Sequence, residues 1–198
     1  MAITSALTVP VSHLMIRNYI GENLGWDNAG YWQGIWYIST MYLMLVTTSL
    51  GVYYLPKLSG ITDNKKKKKE IYSGYKIIMP IVIVMSILIF LLKEYIILVA
   101  FSDKFMPMMD LFAWQLIGDV IKIASWLLAY LMLAKAMTKI FIYTEIGFSV
   151  LFVLISIYFI DTFGLIGITY AFSLNYFLYL IVMIFIFRKR FLQCKKKI

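Results

Sequence analysis

The chain has 198 residues, of which 62% are hydrophobic, 17% aromatic and only 15% charged, and its formal net charge is +9. Soluble domains are about half apolar and about one-quarter charged, so this composition excludes an ordinary soluble domain and indicates an integral membrane protein. The single cysteine, Cys194, excludes a disulfide framework, and the single histidine, His13, excludes an HExxH-type zinc site. We therefore expect no metal, no cofactor and no enzyme of the usual hydrolytic classes.

Six apolar segments are predicted to cross the bilayer as helices, because a hydrocarbon core of about 30 Å requires about 20 apolar residues. In chain order they cover residues 1–16, 31–55, 77–101, 111–134, 140–160 and 164–187. The first is short, since Arg17 follows it directly, and we expect the start of its helix to be missing from the chain. The predicted fold is an all-α transmembrane bundle of six helices.

The third predicted span is interrupted near its end by Lys93 and Glu94. Two charges inside an apolar run favour a span that ends at Leu92, followed by a short turn at the membrane interface. A single long, tilted helix is the alternative.

Basic residues concentrate on one side of the predicted membrane. The connections after the second, fourth and sixth spans contain 15 of the 19 Lys and Arg residues, namely Lys57, Lys65 to Lys69, Lys76, Lys135, Lys139, Arg188, Lys189, Arg190 and Lys195 to Lys197. Cytoplasmic loops carry such an excess, so these connections and the C-terminus are predicted to face the cytoplasm. The run NKKKKKE at 64–70 also fits a nucleic-acid or anionic-lipid patch, but the topological explanation is favoured, and no nucleic-acid partner is expected.

The stretch LIGDVIKIASW, residues 116–126, places Asp119 and Lys122 within several ångströms of the bilayer midplane. A central charge costs about 2.5 to 3.5 kcal/mol, so both side chains are expected to face protein or water. Their i, i+3 spacing predicts an ion pair, and Gln115 and Trp126 extend the same polar stripe. Either the pair fixes this helix against its neighbours, or the stripe lines a water-filled cavity where Lys122 faces an anion.

Polar residues in other spans have simpler explanations. Gln33 and Tyr37 share one face of the second span, and Asn175 lies midway along the last. Such groups usually form hydrogen bonds within or between membrane helices. His13 and Glu145 lie near span ends, where an interfacial position is expected.

Three stretches carry a resemblance to a known family. They are GYWQGIWYISTMYLMLVTTSLGVYYLPKLS (30–59), FMPMMDLFAWQLIGDVIKIASWLLAYLMLAKA (105–136) and FGLIGITYAFSLNYF (163–177). Together they resemble the Wzx-type flippases of O-antigen and of lipid III, the enterobacterial common antigen precursor, in the MOP exporter superfamily. The similarity follows the order of nearly the whole chain, and WQG, YYLPKLS and DLFAWQLIGD are its most specific parts.

The resemblance implies a protein of about twelve transmembrane helices in two lobes, of which this chain is similar to the second. A first, N-terminal lobe is then missing. The implied function is alternating-access transport of an undecaprenyl-diphosphate-linked oligosaccharide, an O-antigen unit or lipid III, from the cytoplasmic to the periplasmic leaflet of a bacterial inner membrane. This step belongs to lipopolysaccharide and surface polysaccharide biosynthesis and export, beside other polysaccharide assembly proteins.

Within that function, depth and helical face suggest roles for seven residues. Lys122 is expected to face the anionic head group, and Asp119 to balance its charge. The expected sugar contacts are Gln33, Tyr37, Gln115, Trp126 and Asn175.

Three alternatives stay open. A drug or toxin exporter of the same superfamily would share the helices but would prefer apolar cations, for which a cleft lysine is unfavourable. A glycan polymerase or ligase would have a large outer loop with catalytic Arg or His, whereas the outer loops here are short and hold only Arg17 and Lys104. A half-transporter without activity is the third, since one lobe supplies only one wall of a cleft.

Overall fold

The computed structural model describes residues 2–193, and within this range the chain forms helices and no strand. The helices are α1 Ala2–Leu24, α2 Trp26–Ser49, α3 Leu55–Gly60, α4 Asn64–Leu91, α5 Lys93–Ala100, α6 Phe112–Ala134, α7 Thr138–Phe163 and α8 Gly167–Gln193. A π-helical turn, Leu50–Tyr54, joins α2 to α3, and 3-10 segments Asp103–Leu111 and Gly164–Ile166 precede α6 and α8. Six of the described helices have 23 residues or more, which confirms the predicted all-α bundle.

Length and composition identify four segments of the described chain that are apolar enough to cross a membrane. They are Trp26–Gly60, Asn64–Leu91, Asp103–Ala134 and Thr138–Arg188, and the last contains α7 and most of α8. The helix α1, which carries Pro10 in its interior, is not among them. The outward face of α4 exposes Ile81, Val84, Leu88 and Leu91, as expected for a helix in contact with lipid.

The break predicted near Lys93 is confirmed. The helix α4 ends at Leu91, Leu92 leaves helical geometry with φ −96° and ψ 7°, and α5 begins at Lys93. The ammonium of Lys93 lies 4.6 Å from the centre of the Phe90 ring. This contact keeps the lysine beside the helix end that it interrupts.

The lysine run was predicted as a loop, and that prediction is wrong. Residues 64–70 form the first two turns of α4, where the Asp63 side chain caps the helix by accepting a hydrogen bond of 2.9 Å from the Lys65 backbone N–H. Five adjacent cations at a helix N-terminus oppose the helix dipole, and the Asp63 carboxylate offsets part of that repulsion. Glu70 adds an ion pair of 2.7 Å with Lys57. Cys194 and Lys195 to Lys197 lie outside the described residues.

The helix α6 is the centre of the bundle. In the 18-residue apolar stretch of the segment that contains α6, 61% of the residues are buried, against 17% in the corresponding stretch of α4. The burial is higher because α6 contacts α2, α4, α7 and α8. Gly118 lets α8 approach closely, because an added Cβ would overlap the ring of Phe172. Nearby, the Ser173 hydroxyl donates a hydrogen bond of 2.6 Å to the Trp114 carbonyl. The contact between α6 and α8 therefore fixes the position of the α8 side chains relative to the polar stripe of α6.

Candidate functional site

Asp119 and Lys122 point to different neighbours, although both lie on α6. The predicted ion pair between them does not form among the described side chains. Instead, the carboxylate accepts a hydrogen bond from Tyr42 on α2, while the ammonium faces rings of α2 and α8. The i, i+3 spacing allowed the pair but did not require it, because other partners compete for both groups.

The ammonium of Lys122 lies among four aromatic rings, which we call the aromatic box. Its Nζ atom lies 4.9 Å from the ring centre of Trp36, 5.1 Å from Trp126, 5.6 Å from Tyr176 and 5.8 Å from Phe172. Each distance is within the about 6 Å over which a ring face attracts a cation. Trp126 is four residues beyond Lys122 on α6, and the same spacing separates the two α8 rings, so helical periodicity builds the box.

The Asp119 carboxylate lies in a separate buried group, which we call the Asp119 cluster: Ser39, Tyr42, Ser86, Gln115 and Asp119. The Tyr42 hydroxyl donates a hydrogen bond of 2.9 Å to Asp119 Oδ2 and lies 3.3 Å from Ser86 Oγ. Asp119 is 0% exposed, Gln115 1% and Ser39 2%. Ser39 and Gln115 lie within hydrogen-bonding reach of the carboxylate, although neither contact has the geometry of a well-formed hydrogen bond.

A partly open cavity of about 300 Å³ lies beside the aromatic box and is lined by residues of α1, α2, α6, α7 and α8. All four box rings line it. Lys122 is not itself a lining residue, so its positive charge reaches the cavity through the rings. Besides the hydroxyls of its tyrosines, the polar side chains of the wall include Ser12, His13, Glu145, Ser149 and Asn175.

Two of these polar residues, His13 and Glu145, were expected near span ends, and the structure adds that both line the cavity. His13 stacks on Trp32 with ring centres 5.1 Å apart and contacts Trp36 at 3.9 Å, and Glu145 lines the same cavity. One signal was available in the sequence. Glu145 and Ser149 share a face of α7 at i, i+4 spacing, which is the pattern that identified the stripe on α6.

The remaining wall contacts are also specific. The Ser12 and Ser149 hydroxyls form a hydrogen bond that joins α1 to α7. Asn175 is 6% exposed, and its Oδ1 atom has no hydrogen-bond partner in the described part of the chain. An unpaired amide oxygen at a cavity wall is available to a ligand or to water.

The seven sequence-predicted site residues thus fall into three places. Trp126 and Asn175 line the cavity, with Lys122 held directly behind the rings. Asp119 and Gln115 belong to the buried cluster between α2, α4 and α6. Gln33 is half-buried and Tyr37 is 55% exposed, and neither lines the cavity.

Comparison with curated proteins gives two relatives. Over 179 residues the chain is 35% identical to the lipid III flippase of Escherichia coli (strain K12), and equally to that of Shigella flexneri. The chain is related to the lipid III flippases. Each alignment covers 90% of the chain but 43% of the relative, so the chain spans less than half the length of the curated relatives that it matches.

No family model matches the chain, and no solved structure matches it. The relation to lipid III flippases confirms, in its coarser form, the resemblance found in the sequence. Membership of the MOP superfamily and the position of the chain in a second lobe stay predictions.

Proposed function

We propose that the protein carrying this chain moves an undecaprenyl-diphosphate-linked oligosaccharide, an O-antigen unit or lipid III, across the bacterial inner membrane for surface polysaccharide biosynthesis. The relation to lipid III flippases supports the class of substrate, and the transmembrane bundle supports the place. A sugar head group with a charged diphosphate cannot enter hydrocarbon unaided, because losing its hydration costs many kcal/mol. A protein that moves it must replace that hydration with polar and aromatic groups.

One observation carries the choice of site: the Lys122 ammonium lies behind a cavity wall and forms no ion pair with a carboxylate of the described residues. A cation paired with Asp119 would present little net charge to a ligand. Held by rings instead, Lys122 keeps a positive potential at the cavity, and the low dielectric of the bundle strengthens it. The potential favours an anionic group at or beside the cavity.

The cavity wall also suits a carbohydrate. Trp36 and Trp126 present large apolar rings to the cavity, while His13 and Asn175 offer polar atoms for hydroxyl groups. Its volume of about 300 Å³ is at the lower end of ligand pockets, so it seats one or two sugar units at a time. The rest of the oligosaccharide then lies outside this cavity.

The complete transporter is proposed to work by alternating access, with this chain as one lobe and a second lobe opposite. Gln33 and Tyr37 do not line the cavity, so in this proposal they contact the substrate from the surface of this lobe that faces the second lobe. The basic connections, including Lys57 and Lys135, face the cytoplasm, from which the substrate is loaded. Other polysaccharide assembly proteins act before and after this step.

Charge removal at Lys122 tests the proposal. In cells that depend on the protein carrying this chain for glycan export, Lys122→Gln is expected to reduce surface glycan at least about tenfold, as loss of a desolvated charge interaction implies. Lys122→Arg should restore part of it. Lys93→Gln is the matched control, because Lys93 also lies over a ring but outside the cavity. Full export by Lys122→Gln at normal membrane abundance would rule out this site.

A second candidate, export of an apolar organic cation, is favoured by the ring box together with the Glu145 carboxylate at the cavity. Aromatic cages recognise organic cations. For this second function, the Lys122 ammonium occupies the position between the rings where the transported cation would bind. The two functions predict opposite results for one variant. Lys122→Gln should increase efflux of a lipophilic cationic dye if this function is correct, and should reduce glycan export if the first is.

A further inference from the structure

We propose that one face of α4, which we call the lysine stripe, binds the phosphate head groups of anionic phospholipids in the cytoplasmic leaflet. The stripe consists of Lys65, Lys69, Tyr72 and Lys76, and all four side chains are exposed. None of them lines the cavity, so the stripe is distinct from the glycan site proposed above.

The four residues form a stripe because α4 is helical from Asn64 onward. They follow one another at i, i+4, i+7 and i+11, which places them on a single side of the helix. In an irregular loop the same lysines would point in several directions. The general excess of cytoplasmic cations explains the sign of the charge, but it does not require this alignment.

Contacts on the other side of α4 fix the direction in which the stripe points. The ring of Tyr54 packs directly against Gly74, and the Tyr75 hydroxyl donates a hydrogen bond to the Ala124 carbonyl of α6. Ile71, which also belongs to this side, is 6% exposed. The bundle therefore lies against that side of α4, and the stripe faces away from it.

The stripe continues into the lipid-facing part of the same helix. Ile83 and Ile87 lie 18 and 22 residues after Lys65, which extends the helical spacing of the stripe, and both are exposed. One side of α4 thus passes from exposed lysines to exposed isoleucines, as the bilayer passes from head groups to hydrocarbon. Tyr72 is 74% exposed near this change, where aromatic side chains contact head groups. The continuity favours a lipid over a soluble polyanion as the partner.

The positive charge of the stripe is available to a lipid phosphate. Among the described residues, Glu70 pairs with Lys57 at 2.7 Å, and no ion pair involves a lysine of the stripe. Asp63 is the other carboxylate between residues 57 and 76, and it caps α4 by accepting a hydrogen bond from the Lys65 backbone N–H. The excess of lysines over carboxylates in this part of α4 therefore creates a positive potential that attracts anionic lipids.

The length of the stripe suits the head-group layer. At 1.5 Å per residue, Lys69 and Lys76 lie about 10 Å apart along α4. The head-group layer on one side of a bilayer is roughly 5 to 8 Å thick, and long lysine side chains extend toward it. Lys65 lies about 6 Å beyond Lys69 along the helix, within the about 8 Å over which a surface potential acts at physiological salt.

The lipid selectivity of the 198-residue chain tests the stripe. The chain is reconstituted into vesicles of dioleoylphosphatidylcholine that contain a trace of spin-labelled phosphatidylglycerol or spin-labelled phosphatidylcholine. Electron paramagnetic resonance then measures the fraction of each label that the protein immobilises. We expect phosphatidylglycerol to associate at least about threefold more strongly than phosphatidylcholine at low salt. Most of this preference should be lost near 1 M sodium chloride, where the Debye length falls to about 3 Å.

Charge removal assigns the preference to the stripe. One variant removes its three positive charges: Lys65→Gln, Lys69→Gln and Lys76→Gln. The control variant removes the same number of charges from exposed positions elsewhere: Arg17→Gln, Lys104→Gln and Lys139→Gln. The stripe variant should lower the preference to below about 1.5-fold, whereas the control should keep most of it. Replacing the three stripe lysines by arginine should also keep it, because the charge is retained.

Two results would overturn the inference. The first is equal association of the two lipids with the unmodified chain, which would leave the lysines to a soluble acidic partner or to membrane topology alone. The second is an equal preference in the stripe variant and in its control. Neither result depends on glycan export, so the stripe and the proposed function fail or hold separately.

Discussion

The Lys122 ammonium lies 4.9 Å from the centre of the Trp36 ring, on a different helix, while Asp119 on the same helix as Lys122 forms no ion pair with it. A ring face attracts a cation less strongly than a carboxylate does at close range. Burying a ring, however, costs less desolvation free energy than burying a carboxylate. The arrangement leaves a positive charge at the cavity and a negative charge in the Asp119 cluster. The two sides of the α6 stripe thus have opposite electrostatic character.

Energetic coupling between Lys122 and Trp126 is the first prediction. Trp126→Leu removes one ring of the aromatic box, and a double-mutant cycle with Lys122→Gln should give a coupling of about 1 kcal/mol in the free energy of unfolding. Urea unfolding of the chain in mixed micelles measures it. Trp26, which is 60% exposed, supplies the control cycle: Trp26→Leu and Lys122→Gln should be additive. A coupling of zero for Trp126 would show that the box does not hold the ammonium.

Steric closure at Gly118 gives the second prediction. Gly118→Ala places a Cβ that overlaps the ring of Phe172, so α8 or the ring must move, and we expect a loss of about 1 to 3 kcal/mol in stability. Gly147→Ala on α7 is the control, since nothing lies within 4 Å of its added Cβ. There the better helix propensity of alanine should leave stability unchanged or raise it by up to about 1 kcal/mol. Thermal unfolding distinguishes the two variants, and equal effects would contradict the tight α6–α8 contact.

The membrane fold was readable from the sequence because hydrophobic length and charge distribution are properties of the chain itself. The break beside Lys93 followed from the same reasoning, since two adjacent charges cannot continue an apolar helix through lipid. The lysine run was misread because Asp63 caps a helix there, and a local cap outweighed a general expectation about loops.

The candidate site was only partly predictable for a related reason. Helical spacing on α6 correctly grouped Lys122 and Trp126, because one helix fixes which of its residues share a face. The rings of Trp36 and Tyr176 come from α2 and α8, and their arrival at the same ammonium depends on packing between helices. Spacing within one helix cannot reveal that packing, and it also could not show that Asp119 turns toward Tyr42.

The hydrogen bond from Tyr42 to Asp119 is the basis of the third prediction. Tyr42→Phe removes the best-formed hydrogen bond to this buried carboxylate, so we expect a loss of about 1.5 to 3 kcal/mol in stability. Tyr143→Phe, at a residue 77% exposed, should change stability by less than about 0.5 kcal/mol. Chemical unfolding at neutral pH measures both. A Tyr42→Phe variant as stable as the unmodified chain would indicate that Asp119 has another partner.

Asn175 separates stability from function in the fourth prediction. Its buried Oδ1 atom is unpaired among the described residues, so Asn175→Leu removes a desolvated polar group and should keep or raise stability by about 1 kcal/mol. In the proposed transporter the same change removes a hydrogen bond to the sugar, and surface glycan should fall about fivefold to tenfold. Asn23→Leu is the control, because the Asn23 amide is exposed and donates only to the Tyr19 carbonyl within α1. Both variants are compared by Tm in detergent and by glycan export in cells at matched protein abundance. The contradicting outcome is a lower Tm for Asn175→Leu with normal export per folded molecule. The amide would then serve only to pack α8 against its neighbours, and Asn175 would not contact the sugar.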